Sequence, residues 1–160
     1  MPHYQIRGKI PDKRHITFKK PDGSLYAEEL VSAEGFSDVY SIVYHNYPPT
    51  KVLSIDKPLD VTPNIEIDRN LQNRALKGFK SEPKDDYLES RNIVLTNDDI
   101  NIILAAPKKS MTDYFFKNAQ SDEMVFIHKG GGKLLSVYSE LSFKEGDHVV
   151  IPRGTIYQFR

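Results

Sequence analysis

The amino-acid sequence predicts an all-β protein behind a long N-terminal arm, on three observations. From Val39 onward, short apolar and β-branched runs recur with period two, the spacing that sends alternate side chains to opposite faces of a strand. Turn-forming clusters separate these runs, among them Thr96-Asn97-Asp98-Asp99, Gly130-Gly131-Gly132 and Glu145-Gly146-Asp147. Only Asp68–Lys77 has helical spacing, with Leu71, Ala75 and Leu76 on one face and Gly78 to end it. Many short strands divided by turns indicate a sandwich or a barrel.

Taken in order, residues 1–38 read as an extended arm. Gly8, Pro11, Pro21 and Gly23 interrupt any period, while Lys13-Arg14-His15 and Lys19-Lys20 make the segment locally basic. A solvated arm lying over a domain surface accounts for those charges, and Asp22-Gly23 marks a turn within it. Residues 39–160 read as the barrel. Tyr40, Ile42 and Tyr44 alternate with Ser41, Val43 and His45 until Pro48-Pro49 stops the run. The further strand candidates are Val52–Ile55, Ile65–Ile67, Leu88–Leu95, Asn101–Ala106 and Tyr114–Lys117. Met124–Lys129, Lys133–Tyr138, Leu141–Phe143, His148–Ile151 and Ile156–Phe159 follow.

Composition excludes several functions. The 160 residues carry 22 Lys and Arg against 22 Asp and Glu, so no positive field is available to track a phosphate backbone. Without cysteine there is no disulfide, thiolate nucleophile or cysteine-ligated metal. No signal-peptide pattern follows Met1-Pro2-His3-Tyr4, and no apolar run nears the roughly 20 residues that span a bilayer. A soluble, cytoplasmic protein is the expectation. Its apolar content is 39% with Tyr counted, and exchanging the nine Tyr for the nine Gly leaves that figure unchanged. Ordinary domains reach about 45–50% on the second count. Either part of the chain stays out of the core or a partner covers it.

Local motifs for chemistry are few. The histidines, at positions 3, 15, 45, 128 and 148, are too dispersed for any short stretch to offer two imidazoles to one metal. His45 reads as a hydrogen-bonded structural residue. Gly130-Gly131-Gly132-Lys133 lacks the spacing of a phosphate loop and reads as a hairpin turn. Asp85-Asp86 and Asp98-Asp99 read as solvated turns, and no G-x-S-x-G elbow presents a serine nucleophile.

The informative stretch is Asp113–Arg160. Glu123 is followed seven positions later by Gly130, and Gly146 precedes Pro152-Arg153-Gly154 by five intervening residues, with Tyr157 three positions past Gly154. This spacing resembles the two signature motifs of the cupin family. The resemblance implies a double-stranded β-helix, or jelly-roll, barrel. Cupin metal sites take two histidines in H-x-H spacing, a glutamate and a further histidine. The ligand positions here hold Phe116 and Asn118 (or Lys117 and Ala119 in the shorter spacing), Glu123 and Tyr157. One carboxylate does not hold a transition metal by itself. The expectation is therefore a degenerate cupin-like barrel, with Asn118, Glu123 and Tyr157 at ligand positions and no metal, cofactor or catalytic residue in this chain. A small-ligand cupin using Tyr157 and Glu123 as acid and base is a further alternative.

Flanking blocks extend the likeness. Leu25-Tyr26-Ala27-Glu28-Glu29-Leu30, Gly35-Phe36-Ser37 and Tyr44-His45-Asn46-Tyr47-Pro48-Pro49-Thr50 resemble the N-terminal region of the homogentisate 1,2-dioxygenase family. Gly8-Lys9-Ile10-Pro11 and Pro21-Asp22-Gly23-Ser24 fit its bacterial forms. Members of that family use a non-haem Fe(II) to open the aromatic ring of homogentisate with O2, giving maleylacetoacetate in tyrosine and phenylalanine catabolism. Their iron ligands lie in a second, C-terminal barrel. The resemblance thus implies the N-terminal portion of such an enzyme, truncated within its barrel and probing no chemistry alone. Its implied partners are the C-terminal catalytic barrel and further subunits of a homo-oligomer, with homogentisate and O2 as substrates of the whole. Lys13 and Arg14 offer charge to an anionic substrate, although an arm in solvent accounts for both. The alternative is a free-standing, metal-free cupin-like binding or oligomerisation module.

Overall fold

The computed structural model describes residues 18–32, 40–48, 51–58, 60–66, 73 and 75–160. The chain divides into two compact units, Met1–Pro58 and Leu59–Arg160. Among the described residues all regular structure is β, apart from a single 3-10 turn at Gly78–Lys80, and every strand pairing is antiparallel.

The described residues of the first unit form one strand pair. Strand β1 (Ala27–Ser32) pairs with β2 (Tyr40–His45), Leu30 lying opposite Ile42 and Glu28 opposite Tyr44. The alternation at Tyr40–Tyr44 anticipates β2, whereas β1 lies in the segment read as an arm. Its sequence Ala27-Glu28-Glu29-Leu30-Val31-Ser32 has too few β-branched residues to announce a strand, and pairing with β2 supplies what propensity does not. The turn at Asp22-Gly23 is present. Gly23 has φ +84°, and the Asp22 carboxylate accepts the backbone N–H and the hydroxyl of Ser24. Phe18 packs on Tyr44 with ring centroids 4.5 Å apart.

Val52–Ile55 is not a strand, nor are Ile65 and Glu66. Val52, Leu53 and Ile55 are among the most exposed apolar side chains. A β-branched run needs a neighbour to take its backbone hydrogen bonds, and among the described residues none pairs with this one. The helix expected over Asp68–Lys77 falls largely outside the described residues. Asn73 and residues 75–77 within it are not helical, and the 3-10 turn begins at Gly78, where the helix was expected to stop.

The described residues of the second unit form eight strands. A hairpin of β3 (Asn92–Thr96) and β4 (Asn101–Leu104) turns at Asn97, whose side-chain oxygen accepts the N–H groups of Asp99 and Ile100. The strand expected from Leu88 starts only at Asn92, because Asp86–Ser90 close into a turn by the N–H of Ser90 donating to the Asp86 carbonyl. Strands β5 (Phe116–Lys117), β7 (Gly131–Ser136), β8 (Glu140–Lys144) and β10 (Ile156–Phe159) form one sheet in the order β5-β10-β7-β8. Between them in sequence, β6 (Glu123–Phe126) and β9 (His148–Ile151) pair with each other. The glycines at 130–132 therefore do not make a hairpin. Gly130, at φ +89°, turns the chain from β6 into another sheet, and Gly131 and Gly132 belong to β7. A side chain on Gly132 would collide with the carbonyl oxygen of Arg160, so the close approach of two backbones demands glycine there.

The core lies where these sheets face each other. Met111, Leu134, Val149, Ile151, Tyr157 and Phe159 are buried, with Phe116, Val125, Ile127 and Phe143 packed against them. Each fully buried large apolar side chain contributes about 1.5–3 kcal/mol of transfer free energy. Strand β10 is covered on both faces. Its buried Gln158 donates to the carbonyls of Thr112 and Tyr114, at 3.1 and 2.8 Å, and accepts from Arg160 Nε at 2.7 Å. No helix of the described residues is long and apolar enough to cross a membrane.

Candidate functional site

Asn118 and Glu123, neighbours in sequence, meet the distant Tyr157 at one place inside the second unit. Strand register explains how. Tyr157 sits opposite Phe116 in the β10–β5 pair, so Asn118 emerges just past the same edge. Glu123 opens β6 on the face that also carries Val125 and Ile127, the face turned to the core. Two backbone bonds hold the segments together. The N–H of Gly154 donates to the Asn118 carbonyl at 2.7 Å, and that of Arg153 to the Asp122 carboxylate at 2.7 Å. Gly154, at φ +83°, permits the tight turn in which the N–H of Thr155 reaches the Pro152 carbonyl.

The Glu123 carboxylate is the centre of the cluster, its side chain only 9% exposed. Its Oε1 receives Asn118 Nδ2 and Arg91 Nη2, each at 3.2 Å. Its Oε2 receives the hydroxyl of Tyr157, a fully buried residue. Asn118 is fixed in turn, since its Oδ1 accepts the N–H groups of Gln120 and Ser121. The Arg91 guanidinium lies over the rings of both Tyr87 and Phe116, 5.7 and 5.8 Å from their centroids. Phe116 meets the Tyr157 ring edge-on at 5.6 Å. Every position matching a cupin ligand in the wider spacing thus touches the others or the guanidinium among them.

The electrostatics keep the phenols neutral. Burial, reinforced by the hydrogen bond to Glu123, raises the Tyr157 hydroxyl well above the ordinary tyrosine range. Burial likewise pushes Tyr87 up to about 12, against the opposing pull of Arg91. A phenol so held donates a proton to a hydrogen bond without releasing it. Both carboxylate oxygens are engaged by donors, and the one full positive charge beside them is already paired.

Arg91 and Tyr87 had no signal in the sequence. Arg91 sits within the strand candidate Leu88–Leu95, where alternation places it no differently from a surface arginine, and its contact with Glu123 lies more than thirty residues away. Asp86 was read as part of a solvated turn, yet it is buried. Its carboxylate accepts the Tyr114 hydroxyl at 2.6 Å and the N–H groups of Leu88 and Glu89. His45 is hydrogen-bonded as expected, Nε2 to Glu29 Oε2 at 2.7 Å. His128 packs on Phe79 and His148 on Phe126, and neither joins the cluster. Lys133 pairs with Glu140 at 2.6 Å. Lys13, Arg14, His3 and His15 lie outside the described residues. Among the described residues no three His, Asp or Glu side chains come together as a metal site would require.

Against known proteins, the chain is 34% identical over 157 residues to a Saccharolobus solfataricus protein that bears the name putative dioxygenase. The match takes in 98% of this chain and 41% of that relative, so the chain spans about two fifths of the relative's length. No family model matches the chain, and no solved structure matches it.

Proposed function

We propose that this chain is the N-terminal portion of a homogentisate 1,2-dioxygenase-type enzyme, folded as a cupin-like jelly-roll barrel that serves as scaffold and subunit contact. The observation that carries the reading is the convergence of Phe116, Asn118, Glu123 and Tyr157, the four ligand-position residues of the cupin spacing, around the Arg91 guanidinium. The strand order supports it as well. Apart from the β7–β8 hairpin, successive strands from β5 to β10 switch between a β5-β10-β7-β8 sheet and a β6-β9 pair, an interleaving expected of a jelly roll. The motif glycines Gly130, Gly146 and Gly154 all have φ between +83° and +89°, as turn-forming residues in those motifs need. A relative bearing a dioxygenase name over nearly the whole chain points to the same class of enzyme.

The residues present do not fit iron. A non-haem Fe(II) takes imidazoles and carboxylates as electron-pair donors. Here the single carboxylate faces a guanidinium, an amide N–H and a phenol O–H, all of which offer protons rather than lone pairs. Arg91 supplies in this barrel the positive charge that a metal supplies in a competent one. In this reading the iron, the ring-opening of homogentisate by O2 and the catalytic barrel belong to the remainder of the enzyme.

An oxygen electrode tests the reading. The 160-residue chain with added Fe(II) and homogentisate is expected to consume no oxygen above the iron blank. The longer polypeptide, expressed from an uninterrupted reading frame, is expected to do so and to release maleylacetoacetate. Robust turnover by the short chain overturns the scaffold role. A natural stop codon directly after Arg160, or a longer chain without oxygen uptake, favours the free-standing module instead.

A further inference from the structure

We draw no further inference here: the strongest candidate, the outward face of the β6–β9 pair where Met124, Phe126 and Val150 stand exposed beside His148, carries none, because nothing in the structure shows what covers it.

Discussion

Replacing Arg91 by methionine isolates the role of the guanidinium, because methionine keeps much of the stem's volume and discards the charge. Breaking a buried ion pair by removing one partner costs about 3–5 kcal/mol, since the other charge stays in a poorly polarisable place. Asn118 and Tyr157 would still donate to Glu123, and Arg91 is itself 20% exposed, so the lower end applies, about 3 kcal/mol. For a unit of about 100 residues, the size of Leu59–Arg160, that lowers the thermal midpoint by about 12 °C or more. Urea unfolding monitored by circular dichroism reads the same loss as a lower midpoint with an unchanged slope. One internal control sharpens the test. Arg91→Met/Glu123→Gln removes the stranded charge along with its partner and should recover all but about 1 kcal/mol, giving a clear coupling in a double-mutant cycle. An Arg91→Met protein within about 0.5 kcal/mol of the parent, or a double variant no better than the sum of the singles, would refute the account.

Two further outcomes test the surrounding frame. Burial pulls the Asp86 carboxyl upward, but the Tyr114 hydroxyl and the N–H groups of Glu89 and Leu88 outweigh it, leaving Asp86 below its ordinary value of 3.8. A depressed carboxylate stabilises the fold fully above that ordinary value, and the contribution is lost as the pH falls through the lower, folded one. Asp86→Asn should therefore lower the melting temperature at neutral pH and converge on the parent in strong acid; parallel curves at all pH values would count against the assignment. At the motif glycines, Gly154→Ala meets open space and should cost only the backbone penalty of a left-handed residue, about 1–2 kcal/mol. Gly132→Ala drives a methyl into the Arg160 carbonyl and should cost more, as seen by chemical unfolding; the reverse order would show that the β7–β10 approach is loose.

How much of this was legible depended on whether the signal was local. His148–Ile151 and Ile156–Phe159 coincide with strands because short runs rich in β-branched and aromatic residues stand there behind turn glycines. Asn118, Glu123 and Tyr157 were identifiable because motif spacing preserves strand register, and register decides which side chains share a face. Val52–Ile55 looked no different from a strand, since propensity records what a residue prefers and not whether a neighbour exists to pair with it. The glycine run at 130–132 was mistaken for a hairpin for a related reason. A turn's chemistry sets its local angles, whereas which sheet the next strand joins is a long-range matter. Arg91, Tyr87 and Asp86 escaped for the same cause, because burial of a polar side chain is a property of its partners.

The pattern of what is kept and what is exchanged bears on the proposed role. A metal inside a barrel ties several strands to one point and brings positive charge to a carboxylate. Losing its histidines while keeping Glu123 would leave a buried negative charge, a costly state unless something replaces both the tie and the charge. Arg91 brings a positive charge to Glu123, and its position just before β3 ties that hairpin to β6. Tyr157 ties β10 to the same carboxylate, and Asn118 ties the end of β5. On the scaffold reading proposed above, these donors would hold the strands to one point as a metal does in a competent barrel, without the open coordination position that a ring-opening centre needs.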